Sequence, residues 1–184
     1  DAICYAPVRP ISLGVLGDRY FVAMAGAGFD AAVTEAVNLK TKARFGTTVA
    51  YGIAGLKTVL NMPRYTIRIT ADDQQYQAGH VIATNIKRYA GRYVLAPEAD
   101  CESGVLNVCM FRNSSRTALL RYVLGVGFGR LEKIADFARI ETKQAAITCE
   151  TPVPVQVDGD FRGHLPITVA VRENALTMVI PAAQ

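Results

Sequence analysis

Alternation of apolar and polar residues constrains the fold of this chain more than any other feature of its sequence. Ile or Val recurs at every second position within the segments 65–70 (YTIRIT), 152–158 (PVPVQVD) and 167–171 (ITVAV). Because successive side chains of a strand point to opposite faces of a sheet, these segments predict half-buried strands. The runs 105–111 (VLNVCMF) and 176–180 (LTMVI) predict two further strands. Most of these segments are joined by short polar or glycine-containing turns, which favours antiparallel pairing.

Helical spacing appears in two other segments. Apolar residues recur every three to four positions over 46–61, and Pro63 follows as a stop signal. Over 114–125 a serine cap precedes the apolar residues Leu120, Val123 and Leu124, with Arg116 and Arg121 expected to face solvent. A third, shorter helix is expected near Asp30, which would cap it. The predicted fold class is therefore mainly β (α+β), an antiparallel β-sandwich with two or three inserted helices.

The composition is that of a folded globular chain. Of the 184 residues, 51% are hydrophobic and 20% are charged, and this length predicts one domain with a substantial core. The formal net charge of +4 is spread along the chain, which argues against a dedicated nucleic-acid binder and favours, weakly, an anionic small molecule or lipid headgroup. No apolar run approaches the roughly 20 residues that a membrane span requires, so we expect any membrane contact to be peripheral.

The cysteine pattern and the first residue bear on the origin of the chain. Four cysteines stand singly, and only two histidines are present to complete a zinc site with them. Reduced, structural thiols in a cytoplasmic protein are therefore expected. The chain begins at Asp1 without an initiator methionine, and we expect it to be a fragment of a longer protein.

A glycine motif lies in the segment 21–33 (FVAMAGAGFDAAV), where Gly26, Gly28 and Ala31 spell G-x-G-x-x-A after a strand-like run. In a dinucleotide-binding turn an acidic residue about 20 positions further on binds the ribose. The corresponding region here, 46–50 (GTTVA), contains no Asp or Glu. The motif therefore favours a tight strand-to-helix turn that needs glycine for steric reasons.

Several segments, in order, resemble one known family. They are 25–33 (AGAGFDAAV), 51–60 (YGIAGLKTVL), 83–111 (ATNIKRYAGRYVLAPEADCESGVLNVCMF), 117–130 (TALLRYVLGVGFGR), 154–163 (PVQVDGDFRG) and 175–181 (ALTMVIP). Together they resemble the second, C-terminal domain of the bacterial diacylglycerol kinases and YegS-like lipid kinases, which are related to the sphingosine kinases. The resemblance covers nearly the whole chain.

This resemblance implies a β-sandwich whose partner is a first domain of the same protein. In the family that first domain carries a G-G-D-G loop that cradles ATP, and lipid and ATP meet between the two domains. No G-G-D-G occurs in this chain. We therefore expect the substrate-side half of a lipid kinase that uses ATP and Mg²⁺ when whole, that holds no tightly bound cofactor by itself and that is inactive alone. The expected partners are a lipid substrate, the membrane surface and the nucleotide-binding domain; a homodimer is left open.

The resemblance assigns catalysis to Asp160 in the sequence VDGD. Phosphoryl transfer to a hydroxyl needs a carboxylate that takes the proton, and the family pattern is V-D-G-E. Asp160 keeps the carboxylate but shortens its reach by one methylene. Without the resemblance, Asp158-Gly159 between two strand-like runs predicts a tight hairpin with an exposed, solvated Asp160.

The resemblance also suggests substrate-binding and metal-binding residues. The turn that holds Phe29 and Asp30 is near the lipid pocket in the family, so Asp30 is either a helix cap or a contact to a lipid hydroxyl; Asp158 completes the predicted substrate-binding set. A structural Mg²⁺ in bacterial members is held by a loop reading P-D-x-x-x-x-D-G. The candidate ligands in the corresponding loop here are Asp100, Ser103 and Val105. Ser103 stands where the family has the Asp before Gly, and Asp100 or Glu102 could substitute by moving. Since a neutral serine replaces a carboxylate, we expect a weakened or missing site.

Two further functions remain as alternatives. A non-catalytic lipid-binding or regulatory module on the same fold is favoured by the two departures from the family pattern, Ser103 and Asp160. A dinucleotide-binding domain is the other alternative, and the missing ribose acid argues against it.

Overall fold

The computed structural model describes residues 7–36, 55, 58, 59 and 61–179. Within them lie fourteen strands, a short 3₁₀ turn at Leu131–Lys133 and two α-helices whose bounds are described. The helices are α1 (Phe29–Ala36) and α2 (Arg116–Gly127). The strands are β1 (Val8–Leu16), β2 (Arg19–Phe21), β3 (Met24–Ala27), β4 (Ile67–Ala71), β5 (Gln74–Ala78), β6 (His80–Thr84), β7 (Arg88–Tyr89), β8 (Tyr93–Val94), β9 (Leu106–Phe111), β10 (Phe137–Thr142), β11 (Gln144–Thr148), β12 (Pro154–Val157), β13 (Asp160–His164) and β14 (Ile167–Val179).

The strands form two six-stranded sheets and one short arm. Sheet one has the order β2-β1-β14-β11-β4-β5, and sheet two has the order β10-β9-β6-β3-β12-β13. Strands β7 and β8 pair only with each other among the described residues and form the arm. Every pair of neighbouring strands runs antiparallel. The predicted fold class, a mainly β antiparallel sandwich with helices, is confirmed.

The main core joins the two sheets and follows the alternation in the sequence. In β4, Ile67 and Ile69 are fully buried while Arg68 and Thr70 are exposed. The largest fully buried side chains of this core come from both sheets: Phe21, Ile67, Ile69, Val81, Leu106, Val108, Met110, Ile147, Val153 and Val155. Burial of these apolar side chains contributes the main favourable term to the free energy of folding of the domain.

One strand is longer than the sequence pattern predicts. The segments 167–171 and 176–180 were expected to be separate strands, but β14 runs continuously as Ile167–Val179 beside β1. Polar residues interrupt the alternation between the two segments. Among them, Asn174 adopts a left-handed backbone, with φ of 50°. The register with β1 also shifts, between Ile11 and Leu13. A bulge of this kind breaks the period of two without ending the strand.

A second core lies on the outer face of sheet two, beneath α2. Ser115 caps α2, because its hydroxyl accepts a hydrogen bond from the Ala118 N–H at 3.3 Å. The buried residues of the helix are Ala118, Leu119, Tyr122 and Gly125. The apolar residues from which the helix was predicted lie on its solvent-exposed side. Leu120, Val123 and Leu124 are 55%, 47% and 49% exposed. The helix is thus where the sequence predicted it, but those apolar residues do not face the core.

The helix predicted over 46–61 falls mainly outside the described residues; of that range, residues 55, 58, 59 and 61 are described and are helical. Among the described residues, no helix is both long enough and apolar enough to cross a bilayer.

Candidate functional site

A cavity of about 410 Å³ lies on the outer face of sheet two, between α1, α2 and the β7–β8 arm. Its volume falls in the range of small-molecule pockets. Most of its wall is apolar and includes Ile82, Leu95, Phe111, Leu119, Val123 and Leu124. The polar groups that reach it are few, and they are Asp30, His80 and the tyrosines Tyr89, Tyr93 and Tyr122. An apolar chamber with few polar groups suits a ligand that is mainly hydrocarbon.

The Asp30 carboxylate is held by hydrogen bonds to both of its oxygens. The Tyr89 hydroxyl donates to Oδ1, and the Gln156 amide donates to Oδ2 at 2.6 Å. Burial raises the pKa of Asp30 above its usual 3.8, and the two hydrogen bonds oppose that rise. Asp30 lies inside the first turn of α1, which begins at Phe29. The prediction that it caps this helix is wrong, because its carboxylate bonds to other elements of the fold.

The two motif glycines make room for side chains of this site. A Cβ at Gly26 would lie 3.1 Å from both Asp30 Oδ2 and Gln156 Nε2. Gly28 has φ of 103°, and a Cβ there would lie 2.5 Å from His80 Nδ1. Strand β3 also runs antiparallel to both of its neighbours. The G-x-G-x-x-A motif is therefore a steric requirement of a strand-to-helix turn, and it lies in an antiparallel sheet where a dinucleotide fold would have a parallel one.

His80 lies beneath this turn and is 4% exposed. The Phe29 N–H donates to its Nδ1 at 3.1 Å, so the neutral ring carries its proton on Nε2. The Nε2 atom is buried and has no hydrogen-bond partner among the described residues. Burial lowers the pKa of His80 from 6.5 to about 4. Phe29 itself lines the cavity and packs edge-on against the His80 ring.

The hairpin β12–β13 carries the two other acids predicted from the sequence. Asp158 and Gly159 have φ of 47° and 87° and form the tight turn. The Asp158 carboxylate accepts hydrogen bonds from the Val22, Ala23 and Met24 N–H groups at 2.8, 2.9 and 2.8 Å. These bonds hold the connection between β2 and β3 against the hairpin. The observed role of Asp158 is thus to position the turn, and it does not line the cavity.

Asp160 begins the edge strand β13, and its side chain is 72% exposed. Its carboxylate pairs with Arg162 at 2.9 Å. The buried amide of Gln156 connects this hairpin to the cavity, because its Oε1 accepts from the Gly159 N–H at 2.8 Å while its Nε2 donates to Asp30. A chain of hydrogen bonds therefore runs from Tyr89 through Asp30 and Gln156 to the residue before Asp160.

A family profile described as the YegS C-terminal NAD kinase beta sandwich-like domain matches residues 23–180. The chain belongs to this family. This YegS C-terminal domain is 26% identical, over 98% of its length, to a Mycobacterium tuberculosis protein named diacylglycerol kinase. It is 24% identical, over 90% of its length, to a Bacillus subtilis protein of the same name. The resemblance found in the sequence is confirmed.

The relatives are longer than this YegS C-terminal domain, which covers 60% of the Mycobacterium tuberculosis protein and 55% of the Bacillus subtilis protein. A crystal structure of a diacylglycerol kinase from Bacillus anthracis matches 98% of the chain with a TM-score of 0.71 at 21% identity, and 59% of that chain is covered. At this identity the match supports the fold alone. The sandwich thus corresponds to one part of a larger protein in these relatives.

Polar groups in the loop 97–105 of this YegS C-terminal domain form hydrogen bonds with one another. Asp100 Oδ1 accepts from the Glu102 N–H at 3.0 Å, and the Ser103 hydroxyl donates to the Asp100 carbonyl at 2.7 Å. The Val105 N–H points to the Ser103 hydroxyl at 3.4 Å. Within the described residues no group of three or more His, Cys, Asp or Glu side chains is placed to hold a metal. Asp100 Oδ1 and the Ser103 hydroxyl are thus both engaged within the loop, and the weakened metal site expected from the sequence stays a prediction.

Sequence reasoning missed three residues of the site: His80, Tyr89 and Gln156. The signal for Gln156 was present, since it is a polar residue between valines in a strand that is buried on both faces. His80 and Tyr89 carry no local signal, because their partners lie 51 and 59 residues away in sequence.

Proposed function

We propose that this chain is the substrate-side domain of an ATP-dependent lipid kinase that phosphorylates the hydroxyl of a diacylglycerol-like lipid. The observation that carries the proposal is the apolar cavity with the Asp30 carboxylate in its wall, joined by hydrogen bonds to the hairpin that bears Asp160. Membership of the YegS family and relatives named diacylglycerol kinase support it.

Each part of the site has a role in this proposal. The apolar wall takes the hydrocarbon part of the lipid, and Asp30, held by Tyr89 and Gln156, accepts a hydrogen bond from a lipid hydroxyl. The substrate oxygen attacks the γ-phosphorus of ATP, the bond to the bridging oxygen of ADP breaks, and Asp160 takes the hydroxyl proton. ATP, with its magnesium ion, is bound by the further domain that the longer relatives contain. Because the substrate resides in a bilayer, the protein works in peripheral contact with a membrane.

The test uses the protein expressed from its complete gene. We expect Asp160→Asn to lower phosphate transfer from ATP to diacylglycerol by about 100-fold or more, as loss of a general base does, and to leave the thermal midpoint unchanged because the side chain is exposed. Asp160→Glu restores the family pattern and should retain transfer. Asp73→Asn, at another exposed turn with positive φ, is the matched control. Wild-type turnover in Asp160→Asn would show that the base is misassigned.

A second candidate is a non-catalytic lipid-binding module. The Asp160–Arg162 ion pair, and Ser103 where the family pattern has a carboxylate, favour it. The two candidates differ in one measurement. The complete protein would bind diacylglycerol in both cases, but it would transfer phosphate from ATP only as a kinase.

A further inference from the structure

The helix α2 has an apolar face where an ordinary surface helix is polar. Its buried side is formed by Ala118, Leu119, Tyr122 and Gly125, so the opposite side projects into solvent. That side carries Leu120, Val123 and Leu124, and Phe128 directly after the helix is 74% exposed. Water-facing positions of an amphipathic helix are normally polar, and clustered exposed apolar groups mark an interaction site.

The exposed apolar face is continuous with the mouth of the cavity. Val123, Leu124 and Phe128 are exposed and also line the cavity. Val94 of β8, in the arm that packs against α2, is 39% exposed. We call Leu120, Val123, Leu124, Phe128 and Val94 the docking face. A hydrocarbon chain that leaves the cavity would therefore emerge among apolar side chains.

Exposed positive residues occur in both elements that carry the docking face. Helix α2 contributes Arg116 and Arg121, and the segment 87–94 that contains the arm contributes Lys87, Arg88 and Arg92. Neither α2 nor the segment 87–94 contains an Asp or Glu. Arg121 pairs with Asp136 from outside the helix, and Arg116 precedes Leu120 by one turn, on the same side of the helix. Exposed apolar residues together with basic residues and no acids in the same elements are the pattern of a surface that binds the headgroup region of a bilayer.

We infer that the docking face seats this domain on an anionic bilayer, with the mouth of the cavity against the lipid. The identity of the lipid that enters the cavity rests on the proposed function. The location of the membrane-binding surface rests on the exposed apolar side chains and the basic residues. A twofold contact between two copies would set the same cations against one another, which disfavours a second copy as the occupant. The apolar residues enter the interface while the arginines and lysines meet lipid phosphates.

The experiment measures binding of the complete protein to sedimented vesicles of phosphatidylcholine, with or without phosphatidylglycerol. The first variant is Val94→Ser with Leu120→Ser, since neither residue lines the cavity. We expect its partition coefficient to fall by roughly tenfold or more, because each buried methylene contributes to the affinity. Tyr20→Ser, at a 55% exposed residue on the edge strand of sheet one, is the matched control and should bind like the wild type.

A second variant tests the charges. Lys87→Gln with Arg116→Gln should lower binding by roughly fivefold per charge on vesicles with phosphatidylglycerol, and this loss should shrink at high salt. Equal binding of the Val94→Ser, Leu120→Ser variant and the wild type overturns the inference. So does a wild-type dimer in solution that this variant converts to a monomer, since the face would then be a self-interface.

Transfer to a short-chain, monomeric diacylglycerol separates the two proposals. We expect the Val94→Ser, Leu120→Ser variant to lose transfer to vesicle-embedded lipid while it retains transfer to the monomeric lipid. If the wild type transfers phosphate to neither substrate but binds vesicles through this face, the proposed function fails and the docking face stands. If the variant loses transfer to both substrates equally while its binding to vesicles is unchanged, the docking face is wrong.

Discussion

Gln156 is a buried amide whose two ends join different parts of the site. It is 1% exposed, donates to Asp30 at 2.6 Å and accepts from the Gly159 N–H at 2.8 Å. A buried polar side chain is tolerated when its hydrogen bonds are made. Here those bonds also fix the orientation of the carboxylate in the cavity relative to the turn before Asp160.

Replacing Gln156 by Leu should therefore destabilise the domain. The substitution leaves the Gly159 N–H without its acceptor and removes one donor from Asp30, and we expect the free energy of unfolding to fall by about 1–3 kcal/mol. Urea denaturation checks the value. Gln77→Leu, at an exposed residue of β5, is the control and should change the free energy of unfolding by less than about 0.5 kcal/mol. Equal stability of both variants would contradict the linking role of the amide.

The buried His80 predicts a pH dependence of stability. Its pKa is about 4 in the folded domain and 6.5 in an ordinary environment, so between these values the unfolded chain binds a proton that the folded chain does not. The stability that the domain has while His80 is neutral in both states is fully present above pH 6.5. It is lost as the pH falls toward 4. The expected loss is about 2 kcal/mol by pH 5, at 1.36 kcal/mol per pH unit.

The measurement is urea denaturation of the wild type and of His80→Asn at several pH values. Asn retains an oxygen that can accept from the Phe29 N–H but does not titrate in this range. The variant should therefore have a shallower dependence of unfolding free energy on pH between 6.5 and 4. An identical slope in both proteins would show that the pKa of His80 does not differ between the folded and unfolded states.

At the scale of single residues, prediction from the sequence succeeded for residues whose conformation depends on their immediate neighbours in the chain. The positive φ of Asp158 and Gly159 follows from a familiar turn pair, and Asp160 follows from its place beside that turn. The roles of Asp158 and Asp30 were not predictable, because each is fixed by partners that are far away in the sequence. Asp30 looked like a helix cap because caps are local, whereas its observed hydrogen bonds are to residues 59 and 126 positions away.

Among the elements, the turn from β3 to α1 depends on Gly28. Its φ of 103° is a conformation that side chains other than glycine rarely adopt, and a Cβ would lie 2.5 Å from His80 Nδ1. Gly28→Ala should lower the free energy of unfolding by more than about 1 kcal/mol, since strain and displacement of His80 add. Gly17→Ala is the matched control, because Gly17 also has a positive φ of 61° but has open space around it. Thermal unfolding of both variants gives the comparison, and similar midpoints would show that the contact with His80 carries no cost.

Prediction of the strands succeeded where apolar residues alternate or form a run bounded by turns, as in β4, β9 and β12. Strand β4 was predicted from Ile67 and Ile69 because its other face meets water. Strand β6 is buried on both faces, with the pattern HVIAT, and gives no alternation to detect. The buried side of α2 was predicted wrongly, because apolar residues at helical spacing normally indicate the side that faces the core. In α2 these residues are exposed and belong to the docking face.

At the scale of the whole molecule, the antiparallel architecture followed from the short connections between strands. The order of the strands did not, because β1 pairs with β14 and β3 lies between β6 and β12. These pairings join segments far apart in the chain, and no periodicity in the sequence selects among them. The cavity is likewise a product of assembly, since its wall draws on α1, α2, the arm and sheet two.

The proposed division of the chemistry between two domains makes a prediction about the 184-residue chain by itself. A triphosphate must be held by several cations or backbone N–H groups. Among the described residues, Arg162 beside Asp160 is already engaged by that carboxylate. The chain spans 60% of a relative named diacylglycerol kinase. We therefore expect the 184-residue chain alone to bind diacylglycerol in vesicles but to transfer no phosphate from labelled ATP, whereas the product of the complete gene does both. Transfer by the chain alone would contradict the division of labour between domains and would require an ATP site within the sandwich.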